Sequence, residues 1–203
     1  MIKTNYFQTT YRPNHEESKS KFRGLLRSRA VCRTIAALGM LALGACSSVT
    51  AMRMVPDSIK LINRSAASIN VQVFGGVDTT IMAAQMQVDV EEFEKAIKLA
   101  IREHQLFGSV GGKDSDYALE VTVYEIKFMQ AETTVGIHYK VEANWKLTNS
   151  KGQVMFQERI DTDHEATFSD AFAGGNRMVS ATEGAGLKNI QAGLEAISKL
   201  DLD

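Results

Sequence analysis

A two-layer α+β sandwich, with a long antiparallel β-meander covered on one face by two helices, is the fold class this sequence predicts. Three observations carry it. Val135, Ile137, Tyr139, Val141, Ala143, Trp145 and Leu147 are seven consecutive odd positions of one apolar face, set against Gly136, His138, Lys140, Glu142, Asn144 and Lys146, a period of two that no helix has. Two apolar stripes at helical spacing flank that region, one around Phe93 to Ile101 and one from Leu187 to Ile197. Between the strands, Asn149-Ser150-Lys151-Gly152 supplies turn chemistry.

Taken in order, the chain opens with a leader. Residues 1–33 carry eight Lys/Arg and two acids, a net +6, and an apolar run from Ile35 to Leu43 follows, too short to span ~30 Å of hydrocarbon. Leu43-Gly44-Ala45-Cys46 ends it and resembles the lipobox of bacterial lipoproteins, which implies cleavage between Ala45 and Cys46 and acylation of Cys46. The domain organisation expected is a signal segment over 1–45, a tether over 46–57 and one α+β periplasmic domain over 58–203. The basic flank is long for a signal, which leaves two readings: a translation start near residues 25–31, at Leu25 or Val31, or a cytoplasmic extension discarded on cleavage. Cleavage leaves 158 residues with 15 basic and 22 acidic side chains, a net −7. Such a charge repels phosphate backbones and argues against nucleic-acid binding. Cys46 is the only cysteine left, so no disulfide or cysteine-ligated metal is expected.

Ile69, Val71 and Val73 alternate with Ser68, Asn70 and Gln72 and predict a half-buried strand ending at Gly75-Gly76. Val77 to Val88 is weakly patterned. Asp89 and Glu92 form a candidate capping box for a helix running to about Gln105, with Val90, Phe93, Ile97, Ala100, Ile101 and His104 on its buried side. Gly108 to Lys113 reads as a turn; a phosphate loop would need a glycine where Phe107 stands and a preceding strand.

Tyr117 to Val123 alternates, then the phase slips: Glu125 interrupts the apolar face while Ile126 and Phe128 sit on the opposite one, which predicts a bulge or an apolar outer end. The strand through Trp145 would extend roughly 40 Å at ~3.3 Å per residue, so strong twist or a projecting hairpin is expected. Val154, Phe156 and Ile160 begin the return strand. Asp161-Thr162-Asp163-His164-Glu165 is the one local group of metal-ligand residue types; on a strand the acids share one face and His164 takes the other, a solvated charged edge and not a cage. Ala166 to Gly175 is irregular and carries Phe168 and Phe172. Leu187, Ile190, Leu194 and Ile197 predict a second cover helix, with Ser180 and Glu183 as a candidate capping box, and Gly184, Gly186 and Gly193 weakening it by ~1 kcal/mol each against alanine.

From Cys46 to Leu200, this order of elements resembles the auxiliary lipoproteins of ABC-type transport systems: Phe93 to Ile101 ahead of Phe107, Asp116-Tyr117-Ala118-Leu119 opening a strand, the long strand through Trp145 with Gly152 in its turn, and the closing helix. It is similar more loosely to the lipoprotein that plugs the lipopolysaccharide translocon. The resemblance implies a non-catalytic accessory or binding subunit of an envelope transport or assembly complex, with no cofactor and no metal. Ser47 after the cysteine resembles the outer-membrane sorting pattern, with the domain facing the periplasm. The partners expected are the membrane through the lipid on Cys46, a protein of the cell envelope and, as a ligand, a lipid. The candidate partner surface is Ile126, Phe128, Phe168 and Phe172. Two alternatives stand beside it: a periplasmic hydrolase using His164 and neighbouring acids, and a purely structural envelope lipoprotein.

Overall fold

A computed structural model describes residues 48–75, 90–129 and 136–202. Its elements are α1 (Ala51–Met54), β1 (Ser65–Gly75), α2 (Val90–His104), β2 (Phe107–Val110), β3 (Tyr117–Met129), β4 (Ile137–Asn149), β5 (Val154–Ala166) and α3 (Gly174–Ile197). The strands form one five-stranded sheet in the order β2-β1-β3-β4-β5, and the helices pack on one face, as the two-layer expectation requires.

The sheet is mixed, which corrects the antiparallel expectation. β3, β4 and β5 are an antiparallel meander, but β1 runs parallel to both β2 and β3. A parallel neighbour requires a crossover, and α2 supplies it between β1 and β2. The turn expected over Gly108 to Lys113 is in part strand β2. Gly108 there lies so close to the carbonyl of Ala66 that a β-carbon would collide with it. Gln105, in left-handed backbone geometry (φ 53°), ends α2, and Leu106 N–H closes onto Ile101 O at 3.1 Å.

β4 buries Tyr139, Val141, Ala143, Trp145 and Leu147, the alternating face read from the sequence. β1 adds Ile69, Val71 and Val73, and α2 adds Phe93, Ala96, Ile97, Ala100 and Ile101. Large side chains so buried contribute on the order of 1.5–3 kcal/mol each before conformational entropy is subtracted. The phase slip in β3 is a bulge. Val123 pairs with Ala143 and Glu125 with Glu142, so Tyr124 is the extra residue, and Ile126 returns to the core side. In the β4–β5 turn, Asn149 Oδ1 accepts from the N–H of Lys151 and of Gln153, and Gly152 takes φ 76°.

The first capping box falls on Asp89, which lies outside the described residues; its partner Glu92 accepts the N–H of Ala51 at 2.6 Å, and the second capping box does not form. α3 begins at Gly174, six residues before Ser180, so Glu183 sits inside the helix, buried, and serves another segment. That segment lies in the stretch expected to be tether. Ala51 and Met54 are buried in the core, so residues 51–54 belong to the fold.

Candidate interaction surfaces

The face of the meander turned away from the helices carries a lattice of ion pairs. Lys146 meets Glu120 at 3.0 Å, Lys140 meets Asp161 at 3.1 Å and Glu142 at 3.7 Å, and Arg159 pairs with Glu142. Their order follows from strand register, since Glu120 pairs with Lys146 and Glu142 with Asp161 across the ladders. At the bulge, Tyr124 is turned out to solvent with Arg159 over its ring at 5.4 Å. Phe74 is exposed on β1 nearby in the sheet order. The Lys146–Glu120 and Lys140–Asp161 pairs are open to solvent and contribute ~0–1 kcal/mol each to stability, whereas Glu142 is buried and its carboxylate is matched by Lys140 and Arg159, so the face is a charged surface with two aromatic rings on it.

A second surface is the loop between β5 and α3. Phe172 is 89% exposed and Phe168 is 47% exposed, with ring centroids 6.1 Å apart. The Arg177 guanidinium lies 3.9 Å over the Phe168 ring, and its Nη1 donates to the Phe172 carbonyl at 3.2 Å. The loop is fastened beneath its aromatics. Asp170 accepts Thr167 N–H at 2.7 Å and Thr167 Oγ1–H at 2.9 Å, and these bonds hold its carboxyl below the usual carboxylate range.

Of the four residues expected at a partner surface, Phe168 and Phe172 are therefore exposed and adjacent. Ile126 is half-buried against both core clusters, because the bulge turns it inward. Phe128 is placed by its backbone pairing with Tyr139, and its side chain lies outside the described residues. Ala45 and Cys46 also lie outside them.

His164 faces α3, opposite the acids of its strand. Its ring packs against Gly184, where a β-carbon would collide with it, and burial, then Lys188, push its pKa down. His138, on the polar face, pairs with Asp163 at 2.9 Å, and His104 Nε2 donates to the Pro56 carbonyl at 2.8 Å. At the opposite end of the sheet from the aromatic loop, a cleft of about 350 Å³ opens among Ile62, Arg64, Leu106, Ile197 and Leu200. That is the lower end of the size range of small-molecule sites, ~300–1,000 Å³.

The seating of residues 50–56 on the helices was not legible in the sequence. Glu183 accepts from Thr50 N–H at 2.9 Å and from Thr50 Oγ1 at 3.2 Å, and pairs with Arg53 at 3.4 Å. No four-residue helix has a period to read, and the carboxylates that hold this one are 41 and 133 positions away.

No protein-family model and no curated protein matches this chain. Among solved structures, the fold is similar to protein XCC0632 from Xanthomonas campestris, of family DUF330, at 14% identity and TM-score 0.51, covering 70% of this chain and 94% of that one. A minor lipoprotein from Acinetobacter baumannii matches at 8% identity and TM-score 0.42, over 69% and 91% of the two chains. Rare lipoprotein B from Shewanella oneidensis matches at 6% identity and TM-score 0.37, over 64% and 94%. At 14% identity the likeness to XCC0632 is one of fold alone. Among the described residues no helix is long and apolar enough to cross a membrane.

Proposed function

We propose that this protein is a lipid-anchored lipoprotein of the bacterial envelope that acts by binding, as an accessory subunit of a transport or assembly complex. The observation that carries this reading is the sequence Leu43-Gly44-Ala45-Cys46 behind a basic and apolar leader, placed four residues ahead of the point where the chain joins a folded domain at Thr50. An acylated Cys46 would hold that domain at the membrane without an amphipathic helix, since multiple acyl chains satisfy the need for two membrane signals. The resemblance to transport auxiliary lipoproteins supports the accessory role, and Ser47 supports the outer membrane. The ion-paired outer face of the meander, with Tyr124 and Phe74 upon it, is the surface offered to a protein partner.

Mass spectrometry of the membrane fraction tests the anchor: the mature chain should begin at acylated Cys46, and Cys46→Ala should give a soluble or unprocessed protein. A membrane-bound, mature Cys46→Ala protein would place the anchor elsewhere. Photo-crosslinking from position 124 tests the accessory role and should capture a subunit of an envelope transporter or assembly machine. Hydrolytic turnover that disappears in His164→Ala would overturn the binding reading in favour of an enzyme.

A further inference from the structure

The segment that follows the proposed anchor runs along the helical layer in a defined direction. Ala51 N–H bonds Glu92 in the first turn of α2, and the Pro56 carbonyl is bonded by His104, the last residue of α2. Thr50 is thus the point of this segment nearest the end of the domain where α2 begins.

The aromatic loop occupies the same end. β1 runs parallel to β3, and β3 and β5 are each antiparallel to β4, so β1 and β5 finish together. α2 and α3, which follow those strands, both start there. Glu183, which holds Thr50, is nine residues into α3, and so roughly 14 Å along the helix from Gly174 at ~1.5 Å per residue. Cys46 is four residues before Thr50, and four residues reach up to about 14 Å. A bilayer that takes acyl chains from Cys46 is within reach of the loop.

We infer that Phe168 and Phe172, with Arg177 beside them, form a second membrane contact that seats its rings among phospholipid headgroups. This inference rests on the lipid-anchor reading. The side chains suit the headgroup region: two neighbouring exposed rings supply apolar area, and a guanidinium over one of them matches phosphate oxygens. Because Thr167 and Asp170 already fasten the loop, presenting those rings requires little further ordering. The anchor limits distance from the membrane, and the loop limits tilt. Held by both, the domain keeps the strand ends of β1, β3 and β5 toward the bilayer and the β4–β5 turn away from it.

The mature acylated protein, reconstituted in vesicles of phosphatidylethanolamine and phosphatidylglycerol, tests this directly. Signal cleavage removes Cys32 and acylation occupies Cys46, so Phe172→Cys carries the sole free thiol for an environment-sensitive fluorophore. Val154→Cys, at the β4–β5 turn, serves as the distant control. The label at 172 should be quenched by spin-labelled lipid and severalfold less by aqueous iodide than the label at 154. Equal iodide quenching at both positions, on protein that still sediments with the vesicles, would overturn the second contact and leave the anchor standing. An unmodified Cys46 in the mass spectrum would overturn both. In intact cells, a photo-crosslinker at 172 should capture phospholipid; capture of a protein subunit instead would reassign the loop to a protein partner.

Discussion

Trp145 on β4 donates its indole N–H to Asn189 Oδ1 on α3 at 2.9 Å, in the fully buried centre of the domain. Asn189 turns its amide the other way, to the carbonyl of Ile160 on β5 at 2.9 Å. One side chain thus joins a helix to two strands. Replacing it with leucine leaves a buried donor and a buried acceptor unpaired, at about 1–3 kcal/mol each. Asn189→Leu should lower the urea midpoint accordingly, with an unchanged m value; a variant as stable as the parent would mean that water reaches both groups.

Gly193 lies against the same ring. A β-carbon there would come within 2.6 Å of Trp145 Cδ2 and Cε2. Alanine favours a helix by ~1 kcal/mol over glycine, while overpacking a core costs ~1–3 kcal/mol. The packing term should win, so Gly193→Ala should destabilise the domain and shift Trp145 emission in the folded state. A stabilised variant would show that α3 can slide off the indole.

Glu183→Ala should free the segment that leads into the fold. Thr50 loses the acceptor for its N–H and its hydroxyl, and Arg53 loses its ion pair. Hydrogen bonds to a buried charge contribute ~1.5–3 kcal/mol. Limited trypsin digestion read by mass spectrometry should show cleavage after Arg53 severalfold faster than in the parent, with the core still intact; unchanged cleavage would mean that Glu92 alone holds the segment.

Stability should also fall in mild acid through His164. Burial against α3, then the charge of Lys188, lowers its folded pKa from the ordinary 6.5, with Asp170 and Asp163 opposing. The unfolded chain therefore binds a proton more readily, and this contribution is complete above about 6.5 and lost as pH falls through the lower folded value. Asp170 has the same sign in a more acidic window, because Thr167 holds its carboxyl below 3.8. Urea midpoints measured between pH 8 and 5 should decline, and His164→Asn should flatten the decline. A parent profile level across that range would show that His164 is hydrated when charged.

Long alternating and helical stripes made most of this fold legible. β4 and its neighbour β3, the phase slip after Val123, the Gly152 turn and the buried faces of α2 and α3 all follow from residues spaced on one element, while register was needed to choose a bulge and to place it at Tyr124. What was not legible depends on partners distant in the chain. β2 has four residues, too few for a period, and becomes a strand because β1 offers an edge for it. Glu183 has the spacing of a cap but bonds Thr50 across the domain, and the glycines of α3 read as weak points until Trp145 and His164 are seen against them. At the surfaces, the exposed aromatics Phe168 and Phe172 stood out among small and polar neighbours. The ion-pair lattice needed strand register, which no single segment contains.

The fastening of Thr50 and Ala51 also determines where a mechanical load would travel. Tension applied at residue 46 meets the Glu183 and Glu92 hydrogen bonds first, then the helix Ala51–Met54 lodged between α2 and α3, and only afterwards the strands. A machine that tugs on the amino-terminal end would peel a short clasp from the helical layer and leave the sheet unstrained.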